Sequence, residues 1–178
     1  RVNIDFFDNV PILSFRKEPL KDSISRFSKR VFDIFFSMLV LVFILSWLYP
    51  IIGLLIKLSS KGPVVFKQKR SGLDNKEFWC YKFRSMKQNI DADDKQATKG
   101  DARITKIGSF LRSSSLDEFP QFFNVFKGDM SVVGPRPHML KHTKQYSELI
   151  KKYMVRQLVK PGITGAAQIR GYRGETRE

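Results

Sequence analysis

Cysteine and histidine are almost missing from this chain: Cys80 is the single thiol, and His138 and His142 are the only imidazoles. One thiol excludes an internal disulfide, and the absence of Cys-x-x-Cys pairs or a His/Cys cluster excludes a zinc site of the usual spacing. This usage suits a reducing cytosolic face. Acids are scarce too, 17 against 32 lysines and arginines, for a formal net charge of +15. Such a balance points to anionic partners: nucleic acid, lipid head groups or phosphorylated small molecules. The basic residues are spread along the chain and no helix-turn-helix, zinc-finger or RNA-binding signature is present, so no nucleic acid is expected as partner. Neither an internal repeat nor a low-complexity tract interrupts the sequence.

A third absence is local. From Ile34 to Ile56 the chain runs 23 residues without a charge, which as a helix extends about 35 Å, longer than the roughly 30 Å hydrocarbon core of a bilayer. Its position and length do not fit a signal peptide, and no small-residue cleavage site follows. Apolar residues cover every face, which argues against a buried core helix. Two membrane readings remain. Arg26, Lys29 and Arg30 precede the run, and Lys57, Lys61, Lys67, Lys69 and Arg70 follow it. Both ends therefore satisfy the preference of positive residues for the cytoplasm. Pro50 lies inside the run, where its missing N–H breaks or kinks a helix. Flanks and proline together favour a re-entrant helix, broken at Pro50, over a plain span. Asp33 at its start needs a partner, and Arg30 is a helical neighbour able to supply one.

The length suits one domain. The chain begins without an initiator Met and stops in the charged run RGETRE, which we read as part of a longer protein. We expect residues 1–25 to be a linker with one short strand, 26–60 the re-entrant membrane helix, and 61–178 a catalytic domain cut short at its C-terminus. Within that domain VVFKQKR reads as a strand, GLDNK as a hairpin turn and EFWCYKFRSM as a second strand, although the latter is apolar on both faces. Residues 87–102 read as a solvated loop or frayed helix, and ITKIGSFLRSSS carries helical spacing at Ile104, Ile107 and Leu111. The expected fold class is α+β: a small helix-rich domain with a short sheet, anchored by the membrane helix.

The stretch SSSLDEFPQ places Asp117 and Glu118 side by side in this basic chain. Ser115 and Glu118 have the S-x-x-E spacing of a capping box. A helix capped at Ser115 would put Pro120 too deep inside, whereas a start nearer Asp117 tolerates it. Arg112 lies five residues before Asp117. Arg136 stands in Gly134-Pro135-Arg136-Pro137, where prolines stiffen the backbone and favour a bidentate phosphate grip. A carboxylate beside such cations suits phosphoryl chemistry, as a nucleophile forming an acyl phosphate or as a magnesium ligand. His138 and His142, four apart and without a third ligand, read as surface histidines.

KRVFD, GPVVFKQKRSG, YKFRSM, DARITKIGSFLRSSSLDEFPQFFNVFKGDMSVVGPRP and VKPGITGAAQI together resemble the bacterial sugar transferases, the monotopic phosphoglycosyl transferases, over Lys29 to Gly171. The resemblance is similar in kind to the members that act on undecaprenyl phosphate with glucose or galactose. It implies transfer of a sugar-1-phosphate from a nucleoside-diphosphate sugar, usually uridine-linked, to a polyprenyl phosphate. Asp117 would be the nucleophile, giving a phosphosugar-aspartyl intermediate, with Glu118 assisting and Mg2+ against Asp117. Lys82, Arg112 and Arg136 would bind phosphate, and the domain would sit on the cytoplasmic face of the bacterial inner membrane. The family's helix breaks at a proline, often after serine; here it is Tyr49-Pro50, and the chain stops before the family's further helices. A non-catalytic basic module binding anionic lipid or nucleic acid is the rival reading. Neither reading fixes an oligomeric state.

Overall fold

The computed structural model describes residues 2–7, 10–15, 20, 22–88, 101–140, 143 and 153–171. His142 and nearly all of the 87–102 segment lie outside them. Two compact units are present, Arg1–Phe32 and Asp33–Glu178. In the first, β1 (Val2–Phe7) pairs antiparallel with β2 (Val10–Phe15), so the expected single strand is a hairpin. Pro11 is tolerated opposite Phe6 because both strands of a two-stranded sheet are edges, where a missing N–H breaks no central ladder.

Helix α1 (Ser23–Leu39), a π-helical stretch at Val40–Leu45 and α2 (Ser46–Ser59) follow without interruption. This 37-residue helix is long and apolar enough to cross a membrane, and 28% of its most apolar window is buried, too little for a core helix. Pro50 sits inside α2 and does not end it, which corrects the expected break. The departure from α geometry comes earlier, where the Ser46 N–H donates five residues back to Leu41 O. The Ser46 hydroxyl then donates to Val42 O, the acceptor its own amide would have used.

That wide turn decides which residues face inward. Asp33, Ser37 and Val40 are buried at spacings of four and three, but the next buried residue is Leu45, five on, while Ile44 stays exposed. A π turn acts as a one-residue insertion and rotates the following face. Ile52 and Ile56 then continue the stripe. Asp33 accepts from Ser131 Oγ (3.0 Å) and Val132 N (2.9 Å) through its Oδ1, so strand β5 supplies donors to its carboxylate. At the other end the Arg84 guanidinium donates to Ser60 O (2.6 Å), Lys61 O (2.9 Å) and Ile56 O (3.5 Å), closing the carbonyls a helix C-terminus leaves open.

β3 (Val65–Ser71) and β4 (Glu77–Phe83) form the expected antiparallel hairpin, with Val65 opposite Phe83 and Ser71 opposite Glu77. Its turn uses left-handed Asp74 and Asn75, residue types that tolerate positive φ. Two apolar clusters explain why β4 is apolar on both faces. One joins Val40, Cys80, Phe122, Val125, Met130 and Val132. The other joins Leu45, Ile52, Ile56, Phe83 and Leu111, and Leu41 and Phe119 pack against both. Of the remaining aromatics, Trp79 and Tyr81 lie under Lys69 and Lys67, 5.6 and 5.7 Å from ring centre to Nζ.

Helix α3 (Lys106–Ser113) begins after Thr105, whose Oγ1 accepts from Gly108 N at 2.9 Å. Ile104, read as helical, instead bridges to Met86. Gly108 lets α3 lie directly on the backbone after β4: a Cβ there would meet Ser85 O at 1.8 Å. Helix α4 (Gln121–Lys127) is bound to β4 by Asn124, fully buried, which accepts from Tyr81 N (3.1 Å) and donates to Trp79 O (2.7 Å). Strand β5 (Ser131–Val133) pairs parallel with β6 (Gly162–Thr164), and the short helix α5 (Ala166–Ile169) follows. The mixture of helices with small sheets agrees with the expected α+β class.

Candidate active site

Between α3 and α4 the chain turns twice. Ser115 adopts φ 59°, a left-handed conformation uncommon for a residue with a Cβ, and Leu116–Glu118 makes one 3-10 turn. Ser115 makes no side-chain cap hydrogen bond, so the capping box is not formed. Pro120 is the N-cap residue of α4, where a missing N–H is harmless. Leu116 and Phe119 pack into the core and hold the two carboxylates between them on a short, anchored arc.

The two acids are treated differently. Glu118 Oε1 accepts from Lys82 Nζ (2.9 Å) and Arg136 NH2 (2.8 Å). Burial pushes its carboxyl up, but the two cations and their hydrogen bonds outweigh burial and bring it to about 2. Asp117 is 9% exposed and, among the described residues, its carboxylate takes no hydrogen bond. Burial raises its pKa, the neighbouring Glu118 charge adds to that, and the attraction of Lys82, Arg112 and Arg136 does not cancel the rise. The result is one carboxylate pinned as an anion and a second that is desolvated and uncommitted. Low solvation leaves an ionised oxygen more available as a nucleophile.

Lys82, Glu118 and Arg136 thus meet in one network. Arg112, on the last turn of α3, is exposed and ion-pairs with neither acid; it acts on Asp117 through its field. The stiffness expected around Arg136 has a visible source: Gly134 N donates to Thr164 O and Gly162 N to Pro135 O, both at 2.9 Å. Arg156, which no local pattern marks, donates to Arg136 O at 2.7 Å and reaches His138 Nδ1 at 3.4 Å. His138 is half-buried in this contact and is not a plain surface histidine. Asn124 and Arg84 were equally unmarked. Each works through backbone atoms 20 or more residues away, for which a local pattern offers no signal.

No group of three or more His, Cys, Asp or Glu side chains exists among the described residues. Magnesium is commonly held by one or two carboxylates plus substrate phosphates, and the uncommitted Asp117 fits that mode.

A family model described as bacterial sugar transferase matches residues 24–178. The chain is 53% identical over 171 residues to a UDP-glucose:undecaprenyl-phosphate glucose-1-phosphate transferase of Klebsiella pneumoniae, covering 95% of this chain and 36% of that protein. A protein of the same name from Escherichia coli K12 is 50% identical over 176 residues, covering 97% and 37%. An undecaprenyl-phosphate galactose phosphotransferase of Salmonella typhimurium is 40% identical over 183 residues, covering 93% and 37%. The chain spans little more than a third of the length of these relatives. Its match to the family model runs from the start of the long helix to the last residue, and the chain belongs to the bacterial sugar transferase family.

Proposed function

We propose that this chain carries the catalytic site of a phosphoglycosyl transferase that moves a hexose-1-phosphate from a UDP-hexose to undecaprenyl phosphate, the first membrane step of a glycan assembly. The observation that carries the reading is the buried Asp117, hydrogen-bonded to none of the described residues, beside the Lys82–Glu118–Arg136 network. An Asp117 oxygen attacks the sugar-linked phosphorus; the new O–P bond forms as the bond to the leaving UMP phosphate breaks. Lys82, Arg112 and Arg136 face the charge that gathers on the phosphates. A phosphate oxygen of undecaprenyl phosphate then attacks the same phosphorus, breaking the aspartyl O–P bond and returning Asp117 as a carboxylate. Glu118 holds Lys82 and Arg136 in place, and so acts on the substrate through them. Bound Mg2+ would be held by Asp117 and substrate phosphates, neutralising phosphate charge.

The long helix supplies the lipid surface. Its outward side keeps Phe35, Phe43, Trp47, Leu54 and Leu58 exposed, a face that a lipid phase covers. Asp33 near one end and the α2 carbonyls at the other are both fastened to the same unit. A full span would draw β5 and the polar backbone around it into hydrocarbon, where unsatisfied groups are costly. This argues against a full span and supports a helix held within one leaflet, with the site proposed at the cytoplasmic face of the inner membrane.

The test is UMP release from UDP-hexose with undecaprenyl phosphate and Mg2+, together with mass spectrometry for a hexose-phosphate adduct on Asp117. Full activity in Asp117→Asn would overturn the assignment.

A further inference from the structure

Side chains alternate between the two faces of a strand, and β4 uses its faces for different ends. Cys80 lies in the core and Lys82 reaches Glu118 on one face; Trp79, Tyr81 and Phe83 form a row on the other. The row starts at the long helix, where the buried Phe83 ring stands 5.6 Å from the ring of Tyr49. It then emerges: Tyr81 is half-buried and Trp79 is 51% exposed. Across the hairpin Lys67 stands opposite Tyr81 and Lys69 opposite Trp79, and each exposed lysine carries its ammonium over the ring it faces. Glu77 pairs with Lys69 at 2.9 Å, whereas Lys67 pairs with no acid among the described residues. No step of the proposed transfer uses this row.

We infer that this outer face of the hairpin is a second membrane contact, lying on the phospholipid head groups, with Trp79 and Tyr81 at the boundary with the acyl chains and Lys67 and Lys69 on lipid phosphates. The inference depends on the lipid-facing reading of the long helix given above. Three observations carry it. The row begins at Tyr49, on the same helix that exposes Leu54 and Leu58, so lipid that covers the helix borders the hairpin. Its chemistry is that of an interface: indole and phenol rings join an apolar body to a polar tip, and lysine stems lie along apolar surface and leave the ammonium to meet an anion. Its charge is positive, two ammonium groups against the single Glu77 carboxylate, which suits an anionic lipid surface. A soluble acidic partner would match the charge but not the continuity with the helix.

Trp47 and Trp79 are the only tryptophans in the chain, so Trp47→Phe leaves Trp79 as the sole indole and Trp79→Phe leaves Trp47. The full chain carrying either substitution is placed in phosphatidylcholine bilayers with and without phosphatidylglycerol, and its fluorescence is quenched by lipids brominated near the head group or near the middle of the acyl chain. Trp79 should be quenched most by bromine near the head group, and more strongly when phosphatidylglycerol is present. Lys67→Gln and Lys69→Gln, each added to the Trp79 reporter, should shift the balance between lipid-covered and water-exposed indole by roughly fivefold toward water in the anionic bilayers, read as acrylamide quenching. Quenching of Trp47 by lipid bromine in a bilayer where Trp79 is untouched would overturn the contact and leave the membrane helix standing; loss of both signals would sink the helix reading as well. Trp79 quenching that is indifferent to phosphatidylglycerol and to both lysines would overturn the assignment to anionic head groups. Both phenylalanine substitutions retain a ring, and circular dichroism of each protein checks that the folds compared are the same.

Discussion

Asp33 in the long helix and Asp117 in the 3-10 turn are both buried aspartates, at 3% and 9% exposure, yet their surroundings differ. Asp33 is met by a hydroxyl and a backbone N–H from β5, so its burial fastens the helix. Asp117 is near three cations and bonded to none of the described residues; its neighbour Glu118 takes the ion pairs instead. Burial therefore produces a structural clasp in one region and an uncommitted, desolvated carboxylate in the other. What separates them is whether the protein itself supplies the partner.

The largest expected effect breaks the second half of that comparison. Asp117→Asn should lower transfer by about 10³-fold or more, the scale of losing a covalent nucleophile, read as UMP release. Its fold should not weaken. Asp117 has a folded pKa above its unfolded value, so the charged form opposes folding at neutral pH and that opposition vanishes as pH falls below the ordinary aspartate range. The variant should melt at the same temperature as the parent or higher.

Glu118→Gln comes next, with a loss of about 10- to 100-fold, since Lys82 and Arg136 lose their common anchor but keep their charge. Here stability should fall. The folded pKa of about 2 against an ordinary 4.5 means that the ion pairs stabilise the protein at every pH above about 4.5. That contribution disappears as pH drops from there through 2. The shift corresponds to at most about 3 kcal/mol, and less in practice because Arg136 is 36% exposed and solvent screens it. Acid-induced unfolding followed by circular dichroism should show the parent losing stability across that window and Glu118→Gln losing much less.

In the helix region, Asp33→Leu strands the Val132 N–H in a buried place, worth about 1–3 kcal/mol, while the Ser131 hydroxyl keeps Val133 O as an acceptor at 3.1 Å. A chain of this size should then melt roughly 5–10 °C lower. Activity per folded molecule should stay near that of the parent, the opposite of the Asp117→Asn result.

The sequence made this contrast only half visible. The β3–β4 hairpin could be read because turn residues and strand residues alternate in a local pattern, and the acidic pair stood out against a basic background. Pro120 also argued, correctly, against a helix capped at Ser115. The inward face of the long helix could not be read. Every face is apolar, so the step from Val40 to Leu45 leaves no periodic trace, and Pro50 drew attention to a place where the helix in fact continues. Arg84, Asn124 and Arg156 escaped for another reason: their partners are carbonyls and amides whose positions exist only once the chain has folded.

The smallest expected effect sharpens the comparison most. The two donors from β5 meet the same oxygen of Asp33, Oδ1. Asp33→Asn retains an oxygen there and removes the charge, so if the clasp works as a hydrogen-bond acceptor the substitution should cost less than about 1 kcal/mol, the difference between a charge-assisted and a neutral bond. Thermal melts of Asp33→Asn and Asp33→Leu side by side measure this directly. A small loss for the amide and a large one for leucine assigns the clasp to geometry. Equal losses would mean that the negative charge itself is needed, and Asp33 would then resemble Glu118, an anion held by cations, more than a neutral acceptor built into the helix.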